Sequence, residues 1–238
     1  MSDAGHGSRP GAHHQRAGRE ASSWGPSIGL LGGAFDPPHH GHLAVAREAL
    51  AQLTLRRLLV VVTAEAPHKS IDTPAETRLR LAEIAFAGEV HTEVSRVELD
   101  RAGPSYTLDT VRWAAEHHGE TTFIVGADEF SDFLSWHDPA GVLDVARLAV
   151  ATRPGFSRSR LDTVLRELDQ TERVRFFPIP EIPTSSSEVR QRVKDGTPID
   201  DLVPTEVALE IAALGLYGDA TGAKAVPSDA MPPRCEGS

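Results

Sequence analysis

Residues 27–42 read SIGLLGGAFDPPHHGH, and their pattern changes abruptly at the glycine pair. An apolar run stops at these glycines and is followed by two adjacent prolines and three histidines. A short apolar run bounded by glycine is typical of a buried strand. Residues 42–53 then carry Leu43, Ala46 and Leu50 at helical spacing. The stretch therefore predicts a strand, a tight turn and a helix.

The same alternation continues along the chain. Runs that predict further strands lie at 56–64, 90–99, 121–128, 145–155 and 173–180. Patterns with helical spacing lie at 74–88, 106–119, 159–170, 186–196 and 205–218. Strands that alternate with helices form parallel sheets with helices on both faces, joined by right-handed crossovers. We therefore predict a single α/β domain with a Rossmann-like, doubly wound parallel sheet.

The composition argues against several classes of protein. The 238 residues carry a formal net charge of −10, so no net positive field would attract a nucleic acid backbone. No apolar run approaches the ~20 residues that a membrane-spanning helix needs. The single cysteine, Cys235, cannot form a disulfide framework and favours a reducing, cytoplasmic setting. We expect neither a nucleic acid nor a membrane as a partner.

Both ends of the chain lack the pattern of a folded domain. Residues 1–26 and 218–238 are polar, rich in small residues and without hydrophobic periodicity. This composition is typical of disordered segments. We expect one domain at 27–217 between two disordered tails.

Unusual segments follow several of the predicted strands. GGAFDPPHHGH follows the first strand, APHK (66–69) the second, GADEF (126–130) the fourth and TSSSEVR (184–190) the last. The carboxyl ends of parallel strands lie at one edge of the sheet, where ligands bind in such folds. Neither a G-x-G-x-x-G dinucleotide motif nor a G-K-[ST] phosphate loop follows the first strand. We therefore expect a ligand site at this edge that is built from other elements.

The first of these segments has the chemistry of an anion site. Gly32 and Gly33 lack Cβ atoms, so a phosphate could approach their backbone closely. Gly41 lies at the predicted helix start, where free amides favour anions. His39 and His42 are three residues apart and could both donate hydrogen bonds to phosphate oxygens. Two other interpretations stay open: a Gly/Pro turn with solvated histidines, and a zinc site, which would need further ligands.

The last segment predicts a second helix start. Ser185 and Glu188 have the spacing of a capping box. Arg190 is expected in the first turn, within reach of a phosphate. A capped helix without a ligand would explain the serine and the glutamate, but it does not require the arginine.

Together these segments resemble the motifs of the nucleotidylyltransferase superfamily. His39, Gly41 and His42 match its H-x-G-H signature, and TSSSEVR is similar to its I-S-S-T-x-x-R signature. Between them, APHK, GPSYTLDT (103–110) and FIVGADEFSDFLSW (123–136) resemble the bacterial nicotinate-mononucleotide adenylyltransferases in particular. The resemblance covers most of the predicted domain, with the motifs in the same order.

The resemblance implies a role for each group of residues. The implied catalytic residues are His39, His42 and Arg190. The residues implied to bind ATP are Gly32, Gly33, Ala34, Phe35, Gly41, Gly126, Asp128, Ser185, Ser186 and Ser187. Those implied to bind the second substrate are Lys69, Tyr106, Thr107 and Trp136. No side chain is implied as a metal ligand.

Three positions depart from the family pattern. Ala34 stands where the family often has Thr or Ser, and Ala66 stands where a proline is usual. Ser187 replaces the usual Thr and keeps the hydroxyl. These departures remove no charged or imidazole group, so they bear on loop geometry and not on the reaction class.

The resemblance implies transfer of AMP from ATP to nicotinate mononucleotide, which gives deamido-NAD and pyrophosphate, with Mg²⁺ carried on ATP. Thr107 would contact the nicotinate carboxylate, and Trp136 would stack on the pyridine ring. Asp128 would accept ribose hydroxyls, or would only cap the helix that follows it.

Several alternatives stay open at this point. The acceptor of another nucleotidylyltransferase could be nicotinamide mononucleotide or phosphopantetheine, and the nucleotide could be cytidylate. A non-catalytic nucleotide-binding sensor would keep the same fold. A homo-oligomer also stays open.

Overall fold

A six-stranded sheet is the centre of the molecule. The computed structural model describes residues 24–67, 70–155 and 158–218. The strands are β1 (Ser27–Gly33), β2 (Leu55–Val62), β3 (Thr92–Ser95), β4 (Thr121–Gly126), β5 (Arg147–Thr152) and β6 (Val174–Pro178). All neighbouring strands pair in parallel, in the order β3-β2-β1-β4-β5-β6. This is the doubly wound order of a Rossmann sheet, so the predicted fold class is confirmed.

Helices connect these strands and follow the last one. They are α1 (His40–Gln52), α2 (Ala75–Phe86), α3 (Thr107–His118), α4 (Ala127–Ser131), α5 (Pro139–Val145), α6 (Arg158–Glu167), α7 (Ser186–Lys194) and α8 (Thr205–Leu214). The sequence pattern did not predict α5. Its seven residues are fewer than the window over which helical spacing can be recognised.

The sheet separates two apolar layers. In β2, Leu58, Val60 and Val62 belong to the layer that α1, α2, α7 and α8 cover. Leu59 and Val61 belong to the opposite layer, covered by α3, α4, α5 and α6. Because successive side chains of a strand point to opposite faces, a strand covered on both sides is apolar throughout. This explains the continuous run at the end of β2.

The crossovers place the ends of the strands where a ligand site is expected. β1 and β4 are neighbours at the centre, and the chain leaves them toward opposite edges of the sheet. Ligands of open α/β sheets bind at such a switch point, outside the carboxyl ends of the strands. The turns after β1, β2, β4 and β6 all lie at this edge. No helix within the described ranges is long and apolar enough to cross a membrane.

Ordered contacts begin ahead of β1. The Trp24 ring lies 4.5 Å from the guanidinium carbon of Arg175 and 5.4 Å from that of Arg147. Residues 1–23 and 219–238 of the predicted tails lie outside the described residues, and the domain limits 27–217 stay a prediction.

Candidate active site

The segment after β1 forms a turn that is capped by its own histidines. His39 is the N-cap residue of α1, and its Nδ1 accepts a hydrogen bond from the backbone N–H of Gly41 at 3.1 Å. His42 Nδ1 accepts from the backbone N–H of His39, also at 3.1 Å. The two rings thus complete a reciprocal capping box. A Cβ on Gly41 would lie 2.9 Å from the His39 ring, so glycine allows this ring to fold back over the turn.

These contacts also fix the proton on each imidazole. The rings of His39 and His42 stack with centroids 3.8 Å apart. Burial, followed by the charges of Arg153 and His40, lowers the pKa of His39 to about 4. Burial, followed by His39 and Arg153, lowers the pKa of His42 well below its usual value. Both rings are therefore neutral at pH 7, and because Nδ1 is the acceptor in each, Nε2 carries the proton.

Aromatic packing shapes the start of the same turn. A Cβ on Gly32 would lie 3.0 Å from Cζ of Phe123, and a Cβ on Gly33 would lie 3.1 Å from Cζ of Phe35. Phe35 is 1% exposed, and its ring centroid lies 4.9 Å from that of His42. The Phe35 side chain supports His42 from the core. If Phe35 binds ATP, as the resemblance implies, it does so through its backbone.

The segment after β6 caps α7, with two differences from the sequence prediction. Ser185 is the N-cap residue, and its Oγ accepts from the backbone N–H of Glu188 at 3.1 Å. The reciprocal half of the capping box does not form, because the Glu188 carboxylate accepts from Arg192 at 2.8 Å. Arg190 is the fifth helical residue, so it lies just beyond the first turn and not within it.

Hydrogen bonds join the starts of α1 and α7. Arg190 Nη1 donates to the Asp36 carbonyl oxygen at 2.6 Å, while its Nη2 donates to Ser187 Oγ at 3.2 Å. Ser186 Oγ donates to the Pro37 carbonyl oxygen at 2.8 Å. Asp36 and Arg190 are 154 positions apart in the chain. The fold therefore brings the second signature motif into direct contact with the turn that leads into the first.

The segments predicted to bind the second substrate also meet at this edge. Thr107 is the first residue of α3, and Tyr106 is its N-cap residue. The Tyr106 ring lies 4.3 Å from the ring of His137, the residue after Trp136. Trp136 is partly buried and packs edge-on against Phe123, with centroids 6.0 Å apart. Tyr106 and the Trp136 segment are thus neighbours, and their role in binding the second substrate stays a prediction.

Three other predicted residues complete the set. Gly126 is the N-cap residue of α4, and Asp128 is the second helical residue, with an exposed side chain. The alternative in which Asp128 is only an N-cap is therefore wrong. Lys69 lies outside the described residues.

A buried arginine below the turns was absent from the predicted set. Arg78 is 1% exposed. Its guanidinium donates to four backbone carbonyl oxygens at 2.7–3.2 Å, those of Ala34, Thr63, Ala64 and Thr73. The sequence carried a signal for this burial, because Arg78 shares the buried face of α2 with Ala82 and Ala85.

A second arginine was also missed. Arg153 is exposed and directly follows β5. After burial, its charge is a further cause that lowers the pKa of both His39 and His42. The sequence places RPG (153–155) at the end of the fifth predicted strand, and thus at this edge of the sheet, but no motif singles out its arginine.

No group of three or more His, Cys, Asp or Glu side chains that could hold a metal ion occurs among the described residues. Within the described residues, the histidine-rich turn therefore has no set of side chains that could bind a zinc ion.

Comparisons with known proteins agree with this geometry. Residues 30–192 match the family model described as cytidylyltransferase-like. A "Probable nicotinate-nucleotide adenylyltransferase" of Thermus thermophilus is 41% identical over 192 residues, which are 80% of this chain and 98% of that protein. The chain belongs to the nicotinate-nucleotide adenylyltransferase family. A nicotinate-nucleotide adenylyltransferase of Geobacillus kaustophilus, also named as probable, is 38% identical over 199 residues, 82% of this chain and 88% of the relative.

Solved structures of the family share the fold. The Plasmodium falciparum nicotinic acid mononucleotide adenylyltransferase complexed with NaAD superposes with a TM-score of 0.67 at 20% identity, over 81% of this chain and 98% of that one. The same enzyme complexed with APC gives a TM-score of 0.66 at 19% identity, over 80% and 96% of the two chains. The predicted family membership and enzyme class are confirmed by the sequence relatives, and the fold is confirmed by the structures.

Proposed function

We propose that this protein transfers AMP from ATP to nicotinate mononucleotide, which gives deamido-NAD and pyrophosphate in NAD biosynthesis. The observation that carries the proposal is the contact between the starts of α1 and α7, where Arg190 donates at 2.6 Å to the Asp36 carbonyl in the turn that leads to two neutral imidazoles. The substrates are those named for relatives of the same family at 41% and 38% identity.

The proposed reaction needs no nucleophile from the chain. An oxygen of the mononucleotide 5′-phosphate attacks the α-phosphorus of ATP in line and forms the new P–O bond. The bond from the α-phosphorus to the bridging oxygen breaks, and pyrophosphate leaves with its electron pair. Because the attacking phosphate is already anionic at neutral pH, the protein contributes positioning and charge stabilisation.

His39 and His42 are proposed to stabilise the α-phosphoryl group. Each ring holds its proton on Nε2, because Nδ1 accepts a backbone N–H within the turn. Nε2–H is then a donor toward an oxygen on which charge develops. A donor held in place by the helix cap needs no reorganisation during the reaction. This preorganisation is the main source of such stabilisation.

The start of α7 is proposed to hold the β- and γ-phosphates. Arg190 uses Nη1 and Nη2 in contacts with Asp36 and Ser187, and a guanidinium carries five N–H donors in total. The remaining donors, together with the hydroxyls and amides of Ser185–Ser187, suit an anion at a helix start. Arg153 adds a positive charge beside the histidines.

The acceptor is proposed to lie between the start of α3 and the segment after β4. Trp136 would stack on the pyridine ring, and Thr107 with Tyr106 would contact the nicotinate carboxylate. Asp128, exposed beside Gly126, would accept ribose hydroxyls, and Lys69 would bind a phosphate. These roles rest on the family resemblance together with the adjacency of Tyr106 and the Trp136 segment.

Mg²⁺ is proposed to bind together with ATP and not in a site that protein side chains form by themselves. The donor set fits this view, because the described residues hold no cluster of metal-ligating side chains. Mg²⁺ retains several waters and commonly binds through substrate phosphates. When bound, it would offset the charge of the triphosphate.

We also infer a cytoplasmic location from the single cysteine and do not expect nucleic acid as a partner.

A comparison of acceptors tests the proposed function. Nicotinate mononucleotide, nicotinamide mononucleotide and phosphopantetheine are each supplied with ATP and Mg²⁺, and release of pyrophosphate is followed with the product identified by mass spectrometry. We expect the highest kcat/KM with nicotinate mononucleotide and the mass of deamido-NAD. A higher kcat/KM with either other acceptor, or ATP binding without turnover, would contradict the proposal.

A further inference from the structure

We propose that Arg78 is a positioning residue, which holds the turn 33–36 after β1 and the loop 63–65 after β2 in one fixed arrangement for both substrates. The inference rests on the proposed function, because it assigns the first segment to the ATP side and the second to the acceptor side. Arg78 is not a catalytic residue, since its guanidinium lies below the turns and donates only to carbonyl oxygens.

Arg78 connects the two segments directly. Its Nη1 donates both to the Ala34 carbonyl at 2.8 Å and to the Thr63 carbonyl at 2.7 Å. A backbone bond between the same segments, from Thr63 N–H to the Gly33 carbonyl at 2.9 Å, extends the β1–β2 pairing by one step. The guanidinium therefore sits where two neighbouring strands end and their chains diverge.

The loop after β2 is held from two opposite sides. The carbonyls of Thr63 and Ala64 face Arg78, at 2.7 and 3.2 Å. The N–H groups that follow them, on Ala64 and Glu65, both donate to Ser105 Oγ at 3.2 Å. In a trans peptide the C=O and the N–H point in opposite directions. Arg78 and Ser105 thus fix the same two peptide planes from opposite sides.

Ser105 carries this constraint to the acceptor side. It also donates its own backbone N–H to the Glu65 carbonyl at 2.8 Å, and it directly precedes Tyr106, the N-cap residue of α3. The position of the α3 start therefore depends on the loop that Arg78 holds.

The same geometry applies on the ATP side. Because the Ala34 carbonyl faces Arg78, the N–H of Phe35 in the same peptide points away from the guanidinium. The Phe35 ring is 1% exposed and lies in the core, so this N–H is the group with which Phe35 would contact ATP. Arg78 sets its direction.

Arginine is required because of the shape of its donors. A planar guanidinium presents several N–H groups in a rigid fork, whereas a lysine ammonium is a point charge on a flexible stem. A lysine at position 78 could satisfy some of these carbonyls but could not span all four. Among the described residues Arg78 makes no ion pair, and each of its four hydrogen bonds goes to a backbone carbonyl.

The test uses two variants, Arg78→Lys and Arg78→Gln, and a matched control, Arg80→Lys. Arg80 lies two residues along the same helix and pairs with Glu210 at the surface. The first readout is amide hydrogen exchange of segments 33–37 and 63–67 without nucleotides. The second is the equilibrium Kd of a non-hydrolysable ATP analogue and of nicotinate mononucleotide. Thermal unfolding gives the stability of each variant.

We expect Arg78→Lys and Arg78→Gln to exchange faster in both segments and to bind both nucleotides about tenfold more weakly, which is less than the roughly 10²-fold that a misplacement of about 1 Å can cost. Arg80→Lys should match the wild type in each readout. A purely structural arginine would lower the melting temperature while exchange in the two segments and both Kd values per folded molecule stayed within twofold. A lower melting temperature with exchange and Kd values unchanged would overturn the proposal. So would an effect on only one segment or only one nucleotide, and so would failure of both variants to fold.

The outcomes separate this proposal from the proposed function. A wild-type protein that makes no deamido-NAD would contradict the function, whereas the exchange measurement needs no substrate and still tests the role of Arg78.

Discussion

The starts of α1 and α7, on the proposed triphosphate side, are joined by short hydrogen bonds, at 2.6 Å from Arg190 and 2.8 Å from Ser186. On the proposed acceptor side, the start of α3 meets the segment after β4 through the rings of Tyr106 and His137, which are tilted by 31° with centroids 4.3 Å apart. His39 is 6% exposed, whereas His137 is an exposed residue.

This difference matches the chemistry proposed for each side. Charge develops on the α-phosphoryl group and on the leaving pyrophosphate, and donors fixed in advance stabilise such charge most effectively. The acceptor contributes an aromatic ring and a carboxylate that do not change during the reaction. Stacking and a helix start are sufficient to select them. Substitutions on the first side should therefore reduce kcat, and substitutions on the second should mainly raise the KM of the acceptor.

Loss of the His42 donor should have the largest effect. We expect His42→Ala to lower kcat/KM by about 10²-fold or more, as for the loss of one preorganised donor. Steady-state release of pyrophosphate measures this. His40→Ala is the matched control, because His40 is the variable residue of the same motif, and it should stay close to the wild type. A near-wild-type rate for His42→Ala would contradict the assigned mechanism.

Removal of the Arg190 guanidinium should have the next largest effect. We expect Arg190→Ala to lower kcat/KM for ATP by roughly tenfold to a hundredfold, the range for hydrogen bonds to charged groups. Arg192→Ala serves as the control, because Arg192 pairs with Glu188 and Asp201 at the surface of the same helix. Equal losses in the two variants would show that Arg190 acts only through the stability of α7.

A change on the acceptor side should separate the two substrates. We expect Trp136→Ala to raise the KM of nicotinate mononucleotide by about tenfold, since a cation–π stack on a desolvated ring contributes up to about 2 kcal/mol. The KM of ATP, measured in the same assays, should change less than twofold. A parallel rise of both KM values would assign Trp136 to packing alone.

The smallest expected effect concerns stability as a function of pH. The pKa of His39 is about 4 in the folded protein and about 6.5 when unfolded, so the unfolded state binds more protons between these values. The free energy of unfolding should therefore fall as the pH falls through this window, by about 1 kcal/mol between pH 7 and pH 5.5 for this residue. Urea unfolding at both pH values measures it.

Two variants separate titration from capping. His39→Asn keeps an N-cap oxygen but cannot titrate, so its stability should change less between pH 7 and pH 5.5. Ser185→Ala removes the cap of α7 and should lower stability equally at both pH values. An unchanged pH dependence in His39→Asn would show that His39 does not contribute to it.

The sequence predicts what is local in the chain. The strand after Ser27, the helix start at His39 and the Ser185 cap each depend on residues within a few positions of one another. The position of these segments at one edge follows from the rule that parallel strands share their carboxyl ends.

Contacts between distant segments could not be predicted in the same way. Arg78 and Arg80 look alike in the run TRLRL, yet the first is 1% exposed and the second has a side chain that is 65% exposed. Helical spacing indicates which one faces the core, but not that its partners are carbonyls of two other turns. Glu188 likewise fits a capping box, and only the folded helix shows that Arg192 binds it instead.

The histidine cap at the start of α1 ties enzymatic competence to one turn of helix. The Nδ1 nitrogens that hold this turn together leave the proton of each ring on Nε2, the atom proposed to face the substrate. Fraying of that turn would misdirect both donors at once, long before the sheet melts. Heat inactivation of this enzyme should thus report the opening of a few residues. An activity assay would detect this local opening at a temperature below that at which the sheet unfolds.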